Sequence, residues 1–335
     1  MSKADAAAAI LWVGATFYAL FGGADFGGGF WDLTAGWDDE RGQRPRDVIQ
    51  RSLTPVWEAN HVWLIFVLVV LWTAFPPAFS AIFTTLYVPI ALAALGIVLR
   101  GAGFAFRKSI VGLRGRRAMG ATFAISSVVT PFFMGAVVGA IAAGNVPAEG
   151  NGDAFSSWLA PLPLLIGAMF VASGAYLAAV FLVGDARRGG DEEMESYFER
   201  RALGAAVVAG AFALAGLFAL HSEARYVFDR LTAEGLPLVI FSLLCGAALL
   251  AVLLRGGRRL LRPLAAGAVI AVIWGWGVAQ FPYLLPTSLR IDQAAAPDAT
   301  MTIVFIVFAV AAVVVLPSLG LLYTLAQKDL LEAEH

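Results

Sequence analysis

Nine stretches of this chain are each long and apolar enough to cross a bilayer, and no other feature limits its possible folds as much. A hydrocarbon core about 30 Å thick takes about 20 apolar residues at about 1.5 Å rise per residue. Bounded by charges, prolines or glycines, such stretches run over 7–31, 57–75, 79–99, 119–143, 159–183, 202–220, 236–254, 263–285 and 302–326. The second and third are separated only by Phe75, Pro76, Pro77 and their neighbours. A turn at Pro-Pro is preferred to one long helix forced through it. The expectation is an all-α polytopic membrane protein with a single transmembrane domain over 1–335.

Composition agrees. Hydrophobic residues make up 60% and charged ones 14%, against about 25% charged in an average soluble domain. Mean hydropathy is +0.79. With 23 basic and 24 acidic residues there is no electrostatic footprint for nucleic acid. The single cysteine, Cys245, lies in an apolar run, builds no disulfide, redox or thiolate-metal motif, and reads as a small core residue. Met1 to Asp5 lack the basic stretch and cleavage site of a signal peptide, so the first span is expected to remain in the mature chain.

Basic residues are distributed unequally. Segments after spans one, three, five and seven, with Lys328 in the tail, hold 19 of the 23 lysines and arginines; only Lys3, Arg225, Arg230 and Arg290 fall on the other side. The positive-inside rule then expects an external N-terminus and a cytoplasmic C-terminus, which an odd span count also demands. The second half of the connection over 32–56 reads as an amphipathic surface helix with Val48, Ile49 and Leu53 inward and its arginines toward lipid phosphates, or as a solvated loop. Residues 144–157, GNVPAEGNGDAFSS, read as an external loop with turn chemistry.

Ionisable groups within spans are costly and point to function. Asp25 stands in GGADFGGGF of span one, and Glu58 and His61 open span two in PVWEANHVW. Arg100 closes span three; with His61 it is a candidate structural or charge partner. Burial disfavours a carboxylate's charge, which suits Asp25 and Glu58 to proton exchange near neutrality. The bland alternative pairs Asp25 with an arginine and leaves Glu58 as a solvated helix end. Gly23 and Gly27 form a GxxxG spacing for close helix packing; the stretch is not a nucleotide loop. His61 reads as a packing histidine, since neither His221 nor His335 is placed as a second axial ligand for a heme. No paired-His metal spacing, nucleophile elbow or phosphate loop occurs. Trp12, Trp31, Trp57, Trp72 and Trp158 fall near span ends, as an interfacial belt expects. Trp63, Trp274 and Trp276 lie further in, at a helix interface or a ligand passage.

At PVWEANHVWL the chain resembles subunit II of cytochrome bd-type quinol oxidases. ADFGGGFWDL in span one, RGAGFAFR at 100–107 and FPYLLPTS at 281–288 extend the resemblance over essentially the whole chain. It implies two four-helix bundles plus a peripheral helix in a bacterial cell membrane. It also implies a reaction in which membrane quinol is oxidised and dioxygen reduced to water. Heme b and heme d are then expected in the partner, subunit I, with none ligated by this chain and a quinone bound to it in some relatives. Small single-span accessory subunits and lipids are further expected partners. Carried over by position, Asp25 and Glu58 match acids associated with proton delivery, and Trp63 a tryptophan near an oxygen entrance. Glu58 is often Asp in relatives, a change that keeps the carboxyl. Ala105 stands where some relatives carry an acid, which shortens any chain of carboxyls. The competing class is a stand-alone ion-coupled secondary transporter with Asp25 and Glu58 at a broken helix.

Overall fold

The computed structural model describes residues 2–36, 42–53, 57–110, 112–257 and 259–327. Arg41, Arg258, Lys328 and His335, and the side chains of Trp57, Glu58, Arg107 and Lys108, lie outside the described residues. The first span is one continuous helical rod: α1 (Lys3–Phe17), a π-helical segment (Tyr18–Gly22) and α2 (Gly23–Thr34). Ser2 caps it in a reciprocal capping box with Asp5. There follow α3 (Gln43–Leu53), α4 (Trp57–Ala74), α5 (Pro76–Thr85), α6 (Tyr87–Ser109), α7 (Leu113–Ala142), α8 (Pro161–Arg188) and α9 (Glu192–Glu223). The chain ends through α10 (Arg225–Thr232), α11 (Leu236–Leu254), α12 (Leu261–Gln280), a hairpin of β1 (Tyr283–Leu285) and β2 (Leu289–Arg290), α13 (Ile291–Ala294) and α14 (Asp298–Gln327).

Eight described helices are long and apolar enough to span alone; α4 and α5, bent by 116° at Phe75, make a ninth when the bent pair is taken as one span. Pro-Pro therefore breaks the chain as expected, because Pro76 at the first helical position starts a new helix and cannot continue the old one. The expected third span over 79–99 is corrected. Residues 76–85 form a separate short helix, and the span proper is α6, which runs nearly three helical turns beyond Leu99 to Ser109. The eighth span also ends early, at Gln280, because Pro282 and Pro286 deny a helix over 281–288 and the chain turns back as an antiparallel hairpin.

Spans one to four close a ring: α1 packs on α4, α4 leads through α5 to α6, α6 packs on α7, and α7 returns to α2. A second ring joins α8, α9, α11 and α12, and α8 fuses the two by packing on α2 and α7. Helix α14 touches only the outer side of α4 and α1 among its main partners and exposes Ile303, Ile306, Val310 and Val313. The plan is two four-helix bundles plus a peripheral helix.

Glycine sets the closest approach. A Cβ on Gly27 would come within 1.9 Å of the Gly174 carbonyl oxygen, and one on Gly174 within 2.7 Å of the Gly23 oxygen. The GxxxG face thus receives the α8 backbone between its two glycines. Tryptophans join the bundles as well. Trp12 Nε1 donates to the Ile273 carbonyl (3.0 Å), Trp274 Nε1 donates to Thr16 Oγ1 (3.1 Å), and Trp12 and Trp276 pack ring to ring at 4.9 Å. Trp274 and Trp276 are interface residues. Trp72 is exposed as a belt residue should be, whereas Trp158 is buried against Phe133 and belongs to the core. Cys245 is buried beside Gly267.

The amphipathic helix forms as α3, with Val48, Ile49 and Leu53 buried. Two of its three arginines need correction: Arg44 pairs with Asp191 and Glu193, and Arg46 with Asp32 at 3.6 Å, while Arg51 is exposed. Carboxylates of the same chain, held close by the packing of α3 on α2, α8 and α9, supply the counter-charge that lipid phosphate was expected to supply.

Candidate functional site

Arg100 does not close its span. It lies inside α6, only 1% exposed, nine residues from the helix end at Ser109. Asp25 is equally buried and nine residues from the end of α2 at Thr34. At about 1.5 Å per residue both sit roughly 13 Å inside that end of the bundle. Arg100 Nη2 donates to Asp25 Oδ1 at 2.8 Å and to the Asp25 carbonyl oxygen at 3.2 Å. Its Nε donates to Ser127 Oγ at 3.0 Å, and Ser127 in turn donates to the Phe123 carbonyl at 2.7 Å. Phe26 and Phe123 each place a ring 4.9 Å from the guanidinium carbon, which adds cation–π attraction where no water competes.

The local sequence explains the approach. Gly29 has no side chain where Ser127 stands; a Cβ there would meet Ser127 Oγ at 2.1 Å. Gly27 and Gly174 bring α8 equally close, so the carboxylate is walled in by backbone. The π-helical segment ends three residues before Asp25; such single-turn insertions change the face on which later residues emerge. One carboxylate oxygen, Asp25 Oδ2, and one guanidinium nitrogen, Arg100 Nη1, are buried without a hydrogen-bond partner among the described residues. A buried pair with a free valence on each member is poorly explained as a stabilising device, since buried ion pairs seldom outperform apolar packing.

The other candidates separate. The His61 ring lies 6.1 Å from Phe26, on the Asp25 side of α4, and within electrostatic range of both Asp25 and Arg100. Glu58 is in the first turn of α4, one turn before His61. Trp63 faces elsewhere: it is buried, stacked on Phe17 at 4.5 Å and edge-on to Phe66. Asp25, Arg100 and His61 come together; Trp63 joins an aromatic cluster between α1 and α4. Ser127, Phe26 and Phe123 were not singled out from sequence. The available signal was the run Ser126, Ser127 and Thr130 within an otherwise apolar span, since a hydroxyl there needs a partner.

Residues 4–326 match the family described as cytochrome bd terminal oxidase subunit II. The chain belongs to that family. It is 29% identical over 226 residues to the cytochrome bd-I ubiquinol oxidase subunit 2 of Escherichia coli (strain K12), a match covering 63% of this chain and 55% of that one. It is 20% identical over 334 residues to a Bacillus subtilis (strain 168) protein provisionally named a cytochrome bd menaquinol oxidase subunit II, covering 96% and 95%. The fold superposes on a chain of the bd oxidase from Geobacillus thermodenitrificans with a TM-score of 0.78, covering 97% of this chain and 98% of that one at 23% identity. Membership places the chain in a quinol oxidase complex with a subunit I, in a family that uses hemes, usually held by that subunit.

His61 and His221 do not come together as an axial pair. His61 is in the first bundle, whereas His221 ends α9 in the second and contacts Arg225 and Phe228. No group of three His, Cys, Asp or Glu able to hold a metal occurs among the described residues. His61→Ala should therefore leave the heme content of the purified complex unchanged. A pyridine hemochrome assay reads it; one heme fewer per complex would contradict the assignment.

Proposed function

We propose that this chain serves as the non-heme subunit II of a bacterial quinol oxidase, inactive alone, and carries protons toward the site of oxygen reduction in its partner. In that reading membrane quinol and oxygen become quinone and water, and the partner's hemes, when bound, pass the electrons. The arginine-rich end of the bundle faces the cytoplasm and the N-terminus lies outside, on the strength of the basic asymmetry. Moving Arg100 from loop to interior leaves that asymmetry intact.

The observation that carries the proposal is the buried Asp25–Arg100 pair with one free carboxylate oxygen, lying in the basic half of the bundle. Glu58 stands nearer that end and collects protons from the aqueous side. His61 and Asp25 receive them in turn, each step deeper than the last. Arg100 fixes the Asp25 carboxylate through Oδ1 and leaves Oδ2 for exchange, so that position and protonation are handled by different atoms. Trp63, in the aromatic cluster with Phe17 and Phe66, lines apolar access for oxygen. The site of action is the bacterial cytoplasmic membrane.

Gentle detergent purification tests the assignment. A red-absorbing chlorin band and a co-purifying heme-bearing subunit are expected; a colourless single chain would favour a transporter. Orientation is tested separately. A periplasm-active reporter fused after residue 150 should be active, and one fused after residue 190 silent. The reverse pattern would remove the cytoplasmic proton inlet.

A further inference from the structure

Away from the proton route, the basic end of the second bundle holds a cavity of about 220 Å³ between the end of α8 and the start of α12. Four arginines line it: Arg187, Arg188, Arg259 and Arg262. A single carboxylate, Asp185, answers them, pairing with Arg188 and with Arg262 at 2.5 Å. Of the next acids along the chain, Asp191 and Glu193 are taken up by Arg44, and Glu192 is exposed and does not line the cavity. Arg187 and Arg259 make no ion pair with any described residue. Arg262 Nε is buried without an acceptor, although its Nη2 is satisfied by the Phe181 carbonyl and Asp185. Four guanidinium groups against one carboxylate, with a buried donor unmet, make the cavity a cationic site suited to an anion.

The polarity of the cavity says which anion. On α8 the lining residues recur at Val180, Val183, Gly184 and Arg187, the spacing of one helix face. Val180 and Val183 are core residues that form the floor of the cavity, and the arginines stand at its mouth. Leu261 continues the apolar floor, and Leu260, between two lining residues, is 58% exposed. Gly184 is needed for the arrangement: a Cβ there would meet the Arg262 guanidinium at 2.9 Å, so its absence lets the charge lie against α8. Arginine suits planar, multidentate recognition of phosphate oxygens, and basic clefts between spans bind anionic headgroups.

We propose that this cavity binds the phosphate group of an anionic phospholipid, with the headgroup on Arg187, Arg259 and Arg262 and the acyl chains leaving past the exposed Leu260 into the bilayer. The site is separate from Asp25 and Arg100, and the assignment holds whichever side of the membrane this end faces.

Native mass spectrometry of the delipidated oxidase complex tests it by titration with phosphatidylglycerol, phosphatidylcholine and inorganic phosphate. Arg187→Gln/Arg259→Gln changes two exposed, unpaired residues and leaves the Asp185 pairs in place, so folding is preserved. The expected result is one phosphatidylglycerol bound tightly per chain and weakened about tenfold or more in this variant, since charge-assisted contacts to phosphate are lost. Arg116→Gln/Arg200→Gln removes equal charge outside the cavity and should keep the binding. Equal loss in that control, undiminished binding in the cavity variant, or equal affinity for phosphatidylcholine would overturn the proposal. Displacement by millimolar inorganic phosphate, with phosphate itself retained, would overturn the lipid as occupant.

Discussion

Arg100→Gln is expected to yield little assembled oxidase, and what survives should melt far below the wild type. The reason is asymmetry. Removing one partner of a buried pair strands the other's charge away from water, at a cost of about 3–5 kcal/mol, comparable to a large share of a domain's net stability of about 5–15 kcal/mol. Asp25 is as buried as Arg100 and has no second cation within hydrogen-bond reach among the described residues. Ser127, Phe26 and Phe123 would lose their partner at the same time. Asp25→Asn/Arg100→Gln should restore much of the yield, because two neutral amides can bond across the same gap. Yield and thermal unfolding of the purified complex read both variants, and the cycle isolates the pairwise contribution. Wild-type assembly of Arg100→Gln alone would mean the charge is met by something outside this pair.

Turnover should respond differently. Glu58→Gln keeps shape and hydrogen bonding, removes titration, and lies near the end of its helix, so the complex should assemble and respire at about a tenth of the wild-type rate or less. Each 1.4 kcal/mol added to a limiting barrier is about tenfold. Asp25→Asn should be slower still, because a group deep in the bundle has fewer water paths around it. Its assembly should fall too, since Asn leaves the Arg100 charge uncompensated; rates must therefore be expressed per heme. If the two acids serve one route, the double variant should be little worse than Asp25→Asn alone, as expected for coupled residues. Oxygen consumption with excess quinol at several pH values makes the comparison. Wild-type rates per heme in both single variants would reduce the two acids to packing and capping.

Most of the fold was legible because lipid imposes a length and a hydropathy that soluble cores do not. The membrane-spanning helices, the helix break at Pro76 and the GxxxG face of α2 all follow from rules that act within a few residues. Residues 79–85 and 281–285 fall inside expected spans, yet do not belong to them, for a shared reason. They are apolar enough for a span, and only the direction of the chain after each proline shows that they are not. The site was half legible. Asp25 and Arg100 each stood out as charges in apolar surroundings, but their pairing joins residues 75 apart on different helices, and no local pattern encodes it. A span ending at Leu99 puts Arg100 at its edge; the interior holds the charge only because Asp25, on another helix, meets it. Ser127 carries only a weak signal, because a serine in a membrane helix usually bonds its own backbone, as this one also does. Arg44 and Arg46 were assigned to lipid because the acids that meet them arrive from other segments.

Proton uptake itself gives the most direct test. The wild-type complex and Glu58→Gln would be reconstituted in one orientation in proteoliposomes, with a pH dye on the side of the arginine-rich loops, and given an oxygen pulse. The account predicts alkalinisation on that side in step with oxygen reduction in the wild type, and uptake slowed about tenfold or more in Glu58→Gln while heme content stays full. Uptake at the wild-type rate in the variant, or alkalinisation on the opposite side, would contradict it.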